Sequence, residues 1–102
     1  MGRISRYLAL LALLWPGVLS AQQRAITGRV TDAMSGQPLA SVSVTVVETR
    51  QSALTDAEGR FRLAAVPSER VTLRFSSLGY RTTTVTVEPG TTSVEVGLDI
   101  DA

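Results

Sequence analysis

Apolar and polar residues alternate with a period of two from Ala25 almost to the end of the chain. In the first such segment Ile26, Gly28 and Val30 share one face, and polar residues lie between them. This period is typical of a strand with one buried face. The same pattern predicts further strands, at residues 42–46, 51–55, 60–63, 71–75, 82–87 and 94–100. About seven short strands in a chain of this length favour an all-β sandwich.

The breaks between these segments contain residues that favour turns. Asp56 and Gly59 flank a four-residue turn, in which the Asp carboxylate can accept backbone N–H bonds and Gly can adopt a positive φ. Asp32, Gly36 and Pro38 end the first strand in a similar way, because Pro has no N–H for a strand ladder. We therefore predict a tight hairpin at residues 56–59 and a longer turn at residues 32–38.

Residues 1–21 have the pattern of an export signal. Arg3 and Arg6 give a positive start, residues 8–14 are an unbroken apolar run, and Ala21 is a small residue at a possible cleavage point. The apolar run is too short to span a bilayer comfortably. We expect a signal peptide at 1–21 and an exported domain at 25–100, in the periplasm or associated with the outer membrane or cell surface.

The composition excludes several kinds of site. The chain has no Cys and no His, so it cannot form a Ser/His or Cys/His nucleophile pair, a thiolate zinc site or a disulfide. Without Arg3 and Arg6, 10 − 2 = 8 basic residues face 9 acidic ones, a net charge of −1. The basic residues are scattered among acids and threonines, so nucleic-acid binding has no electrostatic basis. We expect no enzymatic activity and no zinc.

Some acidic residues allow a second interpretation. Asp32, Asp56 and Glu58 could together hold calcium, since hard cations take clustered carboxylate oxygens. Glu48, Glu58 and Glu69 could in principle supply the carboxylate pair of a glycosidase. We favour turn capping and solvation for all of them, and therefore expect no metal, no cofactor and no catalytic residue.

The end of the chain contains two candidate binding features. Tyr80 could be a stacking platform for a sugar, or its ring could cap one end of the core with the hydroxyl reaching water or backbone. The strand at 82–87 carries Thr82, Thr84 and Thr86 on one face. These threonines could mark a sheet edge that accepts a partner strand, or simply an exposed strand face.

The turn residues and the residues around them occur in a recognisable order. They are Asp32, Gly36, Pro38, Asp56, Gly59, Phe61, Gly79 and Tyr80. Together with the strand pattern they resemble the carboxypeptidase regulatory-like domain over most of residues 25–100. This resemblance implies a transthyretin-like (prealbumin-like) sandwich of seven antiparallel strands in a Greek-key arrangement. The ending Phe75-Ser76-x-x-Gly79-Tyr80 is most like the periplasmic N-terminal domain of SusC-type TonB-dependent outer-membrane receptors.

The family also occurs behind the catalytic domain of zinc carboxypeptidases, but the absence of His argues against any inherited peptidase activity. A receptor would continue into a plug and a barrel, so we expect a stand-alone copy of the domain or the front of a truncated receptor. We expect a non-catalytic accessory domain of the envelope that binds another envelope protein and is related to TonB-dependent outer-membrane receptor transport. The alternative is a carbohydrate-binding module that takes a glycan.

We predict that the mature protein begins near Gln22, because the charge and hydropathy of residues 1–21 are those of a cleaved leader. The intact mass of protein recovered from an envelope fraction measures this. A species that retains residues 1–21 would contradict the prediction and favour an anchored protein.

Overall fold

The computed structural model describes residues 22–101, and the signal peptide predicted at residues 1–21 lies outside them. The described chain is all-β, and the strands follow the alternation of apolar and polar residues. They are β1 (Gln23–Asp32), β2 (Ser43–Val46), β3 (Ser52–Leu54), β4 (Arg60–Pro67), β5 (Val71–Ser76), β6 (Thr83–Val87) and β7 (Ser93–Leu98). No helix in this part of the chain is long and apolar enough to cross a membrane.

The strands form two sheets, which confirms the predicted sandwich. One sheet has three strands in the order β4-β1-β7, and the other has four in the order β3-β2-β5-β6. The expectation of purely antiparallel pairing is wrong at one place, since β1 and β7 run parallel. The reason is that β7 is reached from β6 in the other sheet, and no hairpin joins it to β1, so nothing requires opposite directions.

Strand β4 is longer than the pattern predicts. The alternation ends at Leu63, yet the strand continues to Pro67 and pairs with the start of β1. The register shifts between Arg24 and Ile26, and Ala65 has a positive φ of 56°. This bulge inserts an extra residue, so Leu63 and Val66 are both buried although they are three positions apart.

The core lies between the two sheets and is built from the inward face of each strand. Gly28 of β1 lies directly opposite Phe61 of β4. A Cβ atom at Gly28 would collide with the Phe61 ring and with the carbonyl oxygen of Val94. The Phe61 ring meets Phe75 of the other sheet edge to face, with centroids 5.7 Å apart and planes at 70°. Glycine at position 28 thus allows one aromatic pair to join the sheets.

The hairpin between β3 and β4 has a carboxylate at its entry. The Oδ1 atom of Asp56 accepts hydrogen bonds from the backbone N–H groups of Glu58, at 3.0 Å, and of Arg60, at 2.9 Å. Gly59 has a φ of 76°, and a Cβ atom there would collide with the carbonyl oxygen of Val30. Gly36 has the same φ, but a Cβ atom there would meet no atom within 4 Å.

We predict that Gly59→Val lowers the free energy of unfolding more than Gly36→Val does. Both variants place a β-branched residue at positive φ, which costs about 1–3 kcal/mol. Only Gly59→Val also forces a side chain into packed backbone, which adds about 1–3 kcal/mol. Urea denaturation of the mature domain measures both values, and equal losses would mean that the close packing at Gly59 has no energetic consequence.

Candidate interaction surface

The topology gathers three turns and the tail of the chain at one end of the sandwich. This distal end consists of residues 33–41, 55–59, 77–82 and 99–101. Backbone hydrogen bonds hold these segments together, since the N–H of Leu39 donates to Val30 and the N–H of Val30 donates to Gly59. The N–H of Arg81 donates in the same way to Asp99 of the tail, at 2.8 Å.

The carboxylate of Asp32 is the polar centre of the distal end. Asp32 as a whole residue is only 7% exposed. Its Oδ1 atom accepts the N–H groups of Met34, at 2.8 Å, and Ser35, at 3.0 Å, and its Oδ2 atom accepts the hydroxyl of Tyr80 at 2.8 Å. These bonds link the end of β1 to the segment before β6, and so connect the two sheets.

These hydrogen bonds change the titration of both side chains. The Ser35 N–H, then the Tyr80 hydroxyl and the Met34 N–H, lower the pKa of Asp32 below its ordinary value, although burial acts in the opposite direction. The same hydrogen bond to Asp32 raises the pKa of Tyr80, and burial and the carboxylate charge add to the shift. The pair is therefore held as a carboxylate and a neutral phenol.

Thr55 is a buried residue that the sequence analysis did not single out. Its hydroxyl accepts the N–H of Val42 at 2.9 Å and donates to the carbonyl of Leu39 at 2.6 Å. It thereby joins the turn after β3 to the turn after β1. The only sequence signal was a threonine directly before the Asp56 turn, and its partners lie 13 and 16 residues away.

The remaining residues of the predicted signature have mainly conformational roles in the structure. Gly36 and Gly79 are exposed turn residues with φ of 76° and 86°. Pro38 bridges Thr31 at the start of the turn, and Phe61 is buried in the core. Apart from Phe61, the signature residues lie at or beside the distal end, and they shape its turns.

The structure does not bring the acidic candidates together. Asp32 and Asp56 each cap their own turn, and no group of three or more potential ligands occurs within the described residues. Glu48 accepts the N–H of Thr72 at 2.9 Å, which lowers the pKa of its carboxyl group. Glu48 and Glu69 follow β2 and β4 and lie near the opposite end of the sandwich from Glu58, so Glu58 does not form a carboxylate pair with either of them.

That opposite end contains a second feature that sequence reasoning missed. The guanidinium of Arg24 donates to the backbone carbonyls of Glu88 at 2.6 Å, Thr91 at 2.9 Å and Glu69 at 2.8 Å. An exposed ion pair between Arg70 and Glu88, 3.0 Å apart, lies beside it. Arg24 therefore holds the turns before β5 and before β7 against the start of β1.

Strand β6 lies at the edge of the four-stranded sheet and pairs only with β5 among the described strands. The side chains of Thr82, Thr84 and Thr86 are exposed. Just before the strand, Tyr80 bridges Ile100 in an antiparallel arrangement, and the N–H of Asp101 donates to Gly79 at 3.0 Å. The tail of the chain thus covers residues 79–81 and leaves the outer side of β6 open.

Comparison with known proteins places the chain in a family. The model of the carboxypeptidase regulatory-like domain matches residues 25–100. The chain belongs to this family, as its turn residues suggested.

A transporter from Myxococcus xanthus, the TonB-dependent transporter Oar, is 40% identical over 67 residues. The match covers 62% of this chain and 6% of the transporter, so the chain spans a small part of that relative.

Solved structures share the fold. A cohesin-X-dockerin complex from Acetivibrio cellulolyticus contains a chain with a TM-score of 0.58 and 22% identity, over 72% of this chain and 51% of that one. A candidate carbohydrate binding protein from Bacteroides uniformis has a TM-score of 0.54 and 19% identity, over 72% of this chain and 40% of that one. At such low sequence identities, the similarity shows only that these proteins share the sandwich fold.

We predict that acid weakens the fold through Asp32. A carboxyl group whose pKa is lowered by folding contributes stability above its unfolded value of about 3.9, and this is lost as the pH falls through the folded pKa. The urea concentration at the unfolding midpoint should therefore decrease as the pH is lowered through this range. The decrease should be smaller in Asp32→Asn than in the wild type.

The Tyr80→Phe variant separates two contributions to the lowered pKa of Asp32, that of the Tyr80 hydroxyl and that of the backbone N–H groups. Loss of the hydroxyl should raise the pKa of Asp32, but not to its ordinary value, because the N–H bonds of Met34 and Ser35 remain. NMR titration of the Asp32 carboxyl carbon measures this. An Asp32 pKa equal to that of the wild type would show that the Tyr80 hydroxyl does not stabilise the carboxylate.

Proposed function

We propose that this carboxypeptidase regulatory-like domain is a non-catalytic interaction domain of the cell envelope, which docks to another envelope protein by adding a strand to β6. The observation that carries the proposal is the position of β6 at a sheet edge whose outer side pairs with no described residue. Free N–H and C=O groups on such an edge can bind an extended peptide.

The side chains of β6 support this use of the edge. Folded proteins guard exposed edges with Lys, Pro or bulges. The segment from Thr82 to Val87 contains none of these residues, and its nearest charges are Arg81 and Glu88 at either end. Its outward side chains, Thr84 and Thr86, are small and uncharged, so a partner strand could approach without burying a charge.

The tail of the chain shows how such a strand could lie. Residues 99–101 already run antiparallel to residues 79–81, next to the start of β6. The tail runs away from β6, because residue 101 pairs near residue 79 and residue 99 near residue 81. It therefore leaves residues 83–87 open to a different strand.

One relative supports the kind of partner that we propose. The similarity to part of a TonB-dependent transporter supports a place in the envelope, beside the outer-membrane transport machinery. An export signal at residues 1–21 and a cleavage near Ala21 would deliver the domain there.

The side chains do not support catalysis or sugar stacking. Regulatory-like domains are a non-catalytic kind, and the buried polar side chains of the distal end are occupied by internal hydrogen bonds. Within residues 22–101 the aromatic side chains are Phe61 and Phe75, both buried, and Tyr80, whose hydroxyl binds Asp32. A stacking platform for a neutral sugar would need an open aromatic face.

We predict that blocking the outer edge of β6 abolishes capture of the envelope partner. Adjacent residues of a strand direct their N–H groups to opposite sides, so Thr83→Pro and Thr84→Pro form a matched pair. The backbone of Thr72 on β5 bonds the β2 side. By alternation, Phe75 bonds its partner Thr83 on β6, and the N–H of Thr84 points to the open side. Thr83→Pro removes a ladder bond to β5 and should lower the urea midpoint. Thr84→Pro should keep its midpoint yet lose capture in an envelope pull-down with cross-linking.

A charge on the edge provides an independent check. Thr84→Lys with Thr86→Lys should also reduce capture, because edge lysines oppose strand addition. Ser76→Lys is the control, since Ser76 is exposed on β5 but not at an edge. Capture that survives in the folded proline variant and in the double lysine variant would refute the proposed edge.

A further inference from the structure

The outer face of the three-stranded sheet contains an open groove of about 390 Å³. It lies over the middle of β1, where the registers of β4 and β7 bring polar side chains together. Its lining consists of Thr27, Gly28, Arg29, Arg60, Phe61, Ser93 and Glu95. Its volume is at the lower end of the range for small-molecule sites.

The groove combines two like charges that the fold itself does not need. Arg29 and Arg60 are direct cross-strand partners and both are exposed. Like charges directly opposite each other are destabilising in a sheet. Within residues 22–101 neither guanidinium has a carboxylate within ion-pair distance, and Arg62 carries a third positive charge on the same strand face, opposite Thr27. An anion in the groove would relieve this repulsion.

Guanidinium groups favour oxyanions. Their planar donors match two oxygens of a carboxylate or of a phosphate, and such charge-assisted bonds are stronger than neutral ones. The positive electrostatic potential of the groove is a local feature. Acidic residues outnumber basic ones over the described chain, but most of the acidic residues lie in the turns or the tail and not in the groove. The groove is therefore a positive site on a domain with a small negative charge.

Glu95 narrows the choice of ligand. It lies directly opposite Arg29 on β7 and lines the same groove, and Thr27 lies opposite Ser93 one row away. This carboxylate repels a phosphate dianion or a dense polyanion more strongly than it repels a single carboxylate. A ligand with one carboxylate and several hydroxyl groups would complement these groups, since Glu95 accepts from hydroxyls and the Ser93 hydroxyl donates or accepts. The Thr27 hydroxyl donates to the carbonyl of Thr92 at 3.4 Å and can still accept from a ligand.

The backbone of the groove argues against a peptide. Strand β1 is paired on one side with β4 and on the other with β7. Its N–H and C=O groups are thus used within the sheet, and a peptide in the groove would leave its own amides without backbone partners. Unpaired amide groups weaken binding. Sugar hydroxyls do not need backbone partners, because they can form hydrogen bonds with the side chains of the groove.

We propose that this groove binds a sugar acid, a uronate residue of an anionic glycan, with the carboxylate between Arg29 and Arg60 and the ring hydroxyls at Glu95, Thr27 and Ser93. The site lies on the other sheet from β6 and does not depend on the docking of a protein there. Recognition is by charge and hydrogen bonds, so the lack of an exposed aromatic ring in this part of the chain is no obstacle.

The test is an amide NMR titration of the mature domain with tri-galacturonate, up to about 10 mM, where even a weak ligand binds. We expect shifts at the amides of Thr27, Gly28 and Ser93, and none on β6. Arg29→Gln and Arg60→Gln should each weaken binding about tenfold or more, as expected for loss of a charge-assisted pair. Arg74→Gln is the matched control, since Arg74 is exposed on the other sheet.

Two further probes separate the alternatives. Neutral galactotriose should cause no shifts at the groove, and equal shifts would overturn the role of the carboxylate. Penta-glutamate should bind more weakly than tri-galacturonate. If penta-glutamate binds equally or more tightly, the sugar-acid proposal is wrong and an acidic peptide is the better ligand. Absence of groove shifts with tri-galacturonate, or equal affinity in folded Arg29→Gln and Arg60→Gln, would also overturn the proposal.

Discussion

The contact of Phe61 with Gly28 and Phe75 is the interaction on which the rest of the sandwich depends. The chain has no cysteine, so the two sheets are joined without disulfides. A domain of this size buries a smaller share of its surface than a larger one, which makes its few large core residues important. The Phe61 ring lies across Gly28 and reaches Phe75 of the other sheet. The same pairing of β1 with β4 sets the register of the groove above it.

Hydrogen bonds of a few side chains close both ends of this core. At the distal end Asp32 receives three donors from the turn after β1 and from Tyr80, and Thr55 joins two neighbouring turns. At the other end Arg24 donates to three carbonyls. Turn backbone at the ends of a sandwich has no ladder partner, and buried groups of this kind are costly when unpaired. These three side chains supply the missing partners.

The sequence predicts the strands well because each has one buried face, and this gives a period of two. The prediction fails where buried and exposed positions stop alternating. The bulge at Ala65 lets Leu63 and Val66 face inward together, so the continuation of β4 to Pro67 is not visible in the pattern. The parallel pairing of β1 with β7, the bonds of Arg24 and the groove depend on residues more than about 30 positions apart. Local patterns contain no information about such partners.

Apart from Phe61, which lines the groove from the core side, the residues that identify the family and the residues proposed to bind a partner belong to different parts of the molecule. Asp32, Asp56 and Tyr80 are used in internal hydrogen bonds, and Gly59 is fixed by close packing. A family match carried by such residues therefore reports the fold. The outward side chains of β6 and the charged side chains of the groove, Arg29, Arg60 and Glu95, are exposed and do not pack in the core. Under the two binding proposals, specificity arises in those exposed residues, because a change there can alter what binds without disturbing the turns.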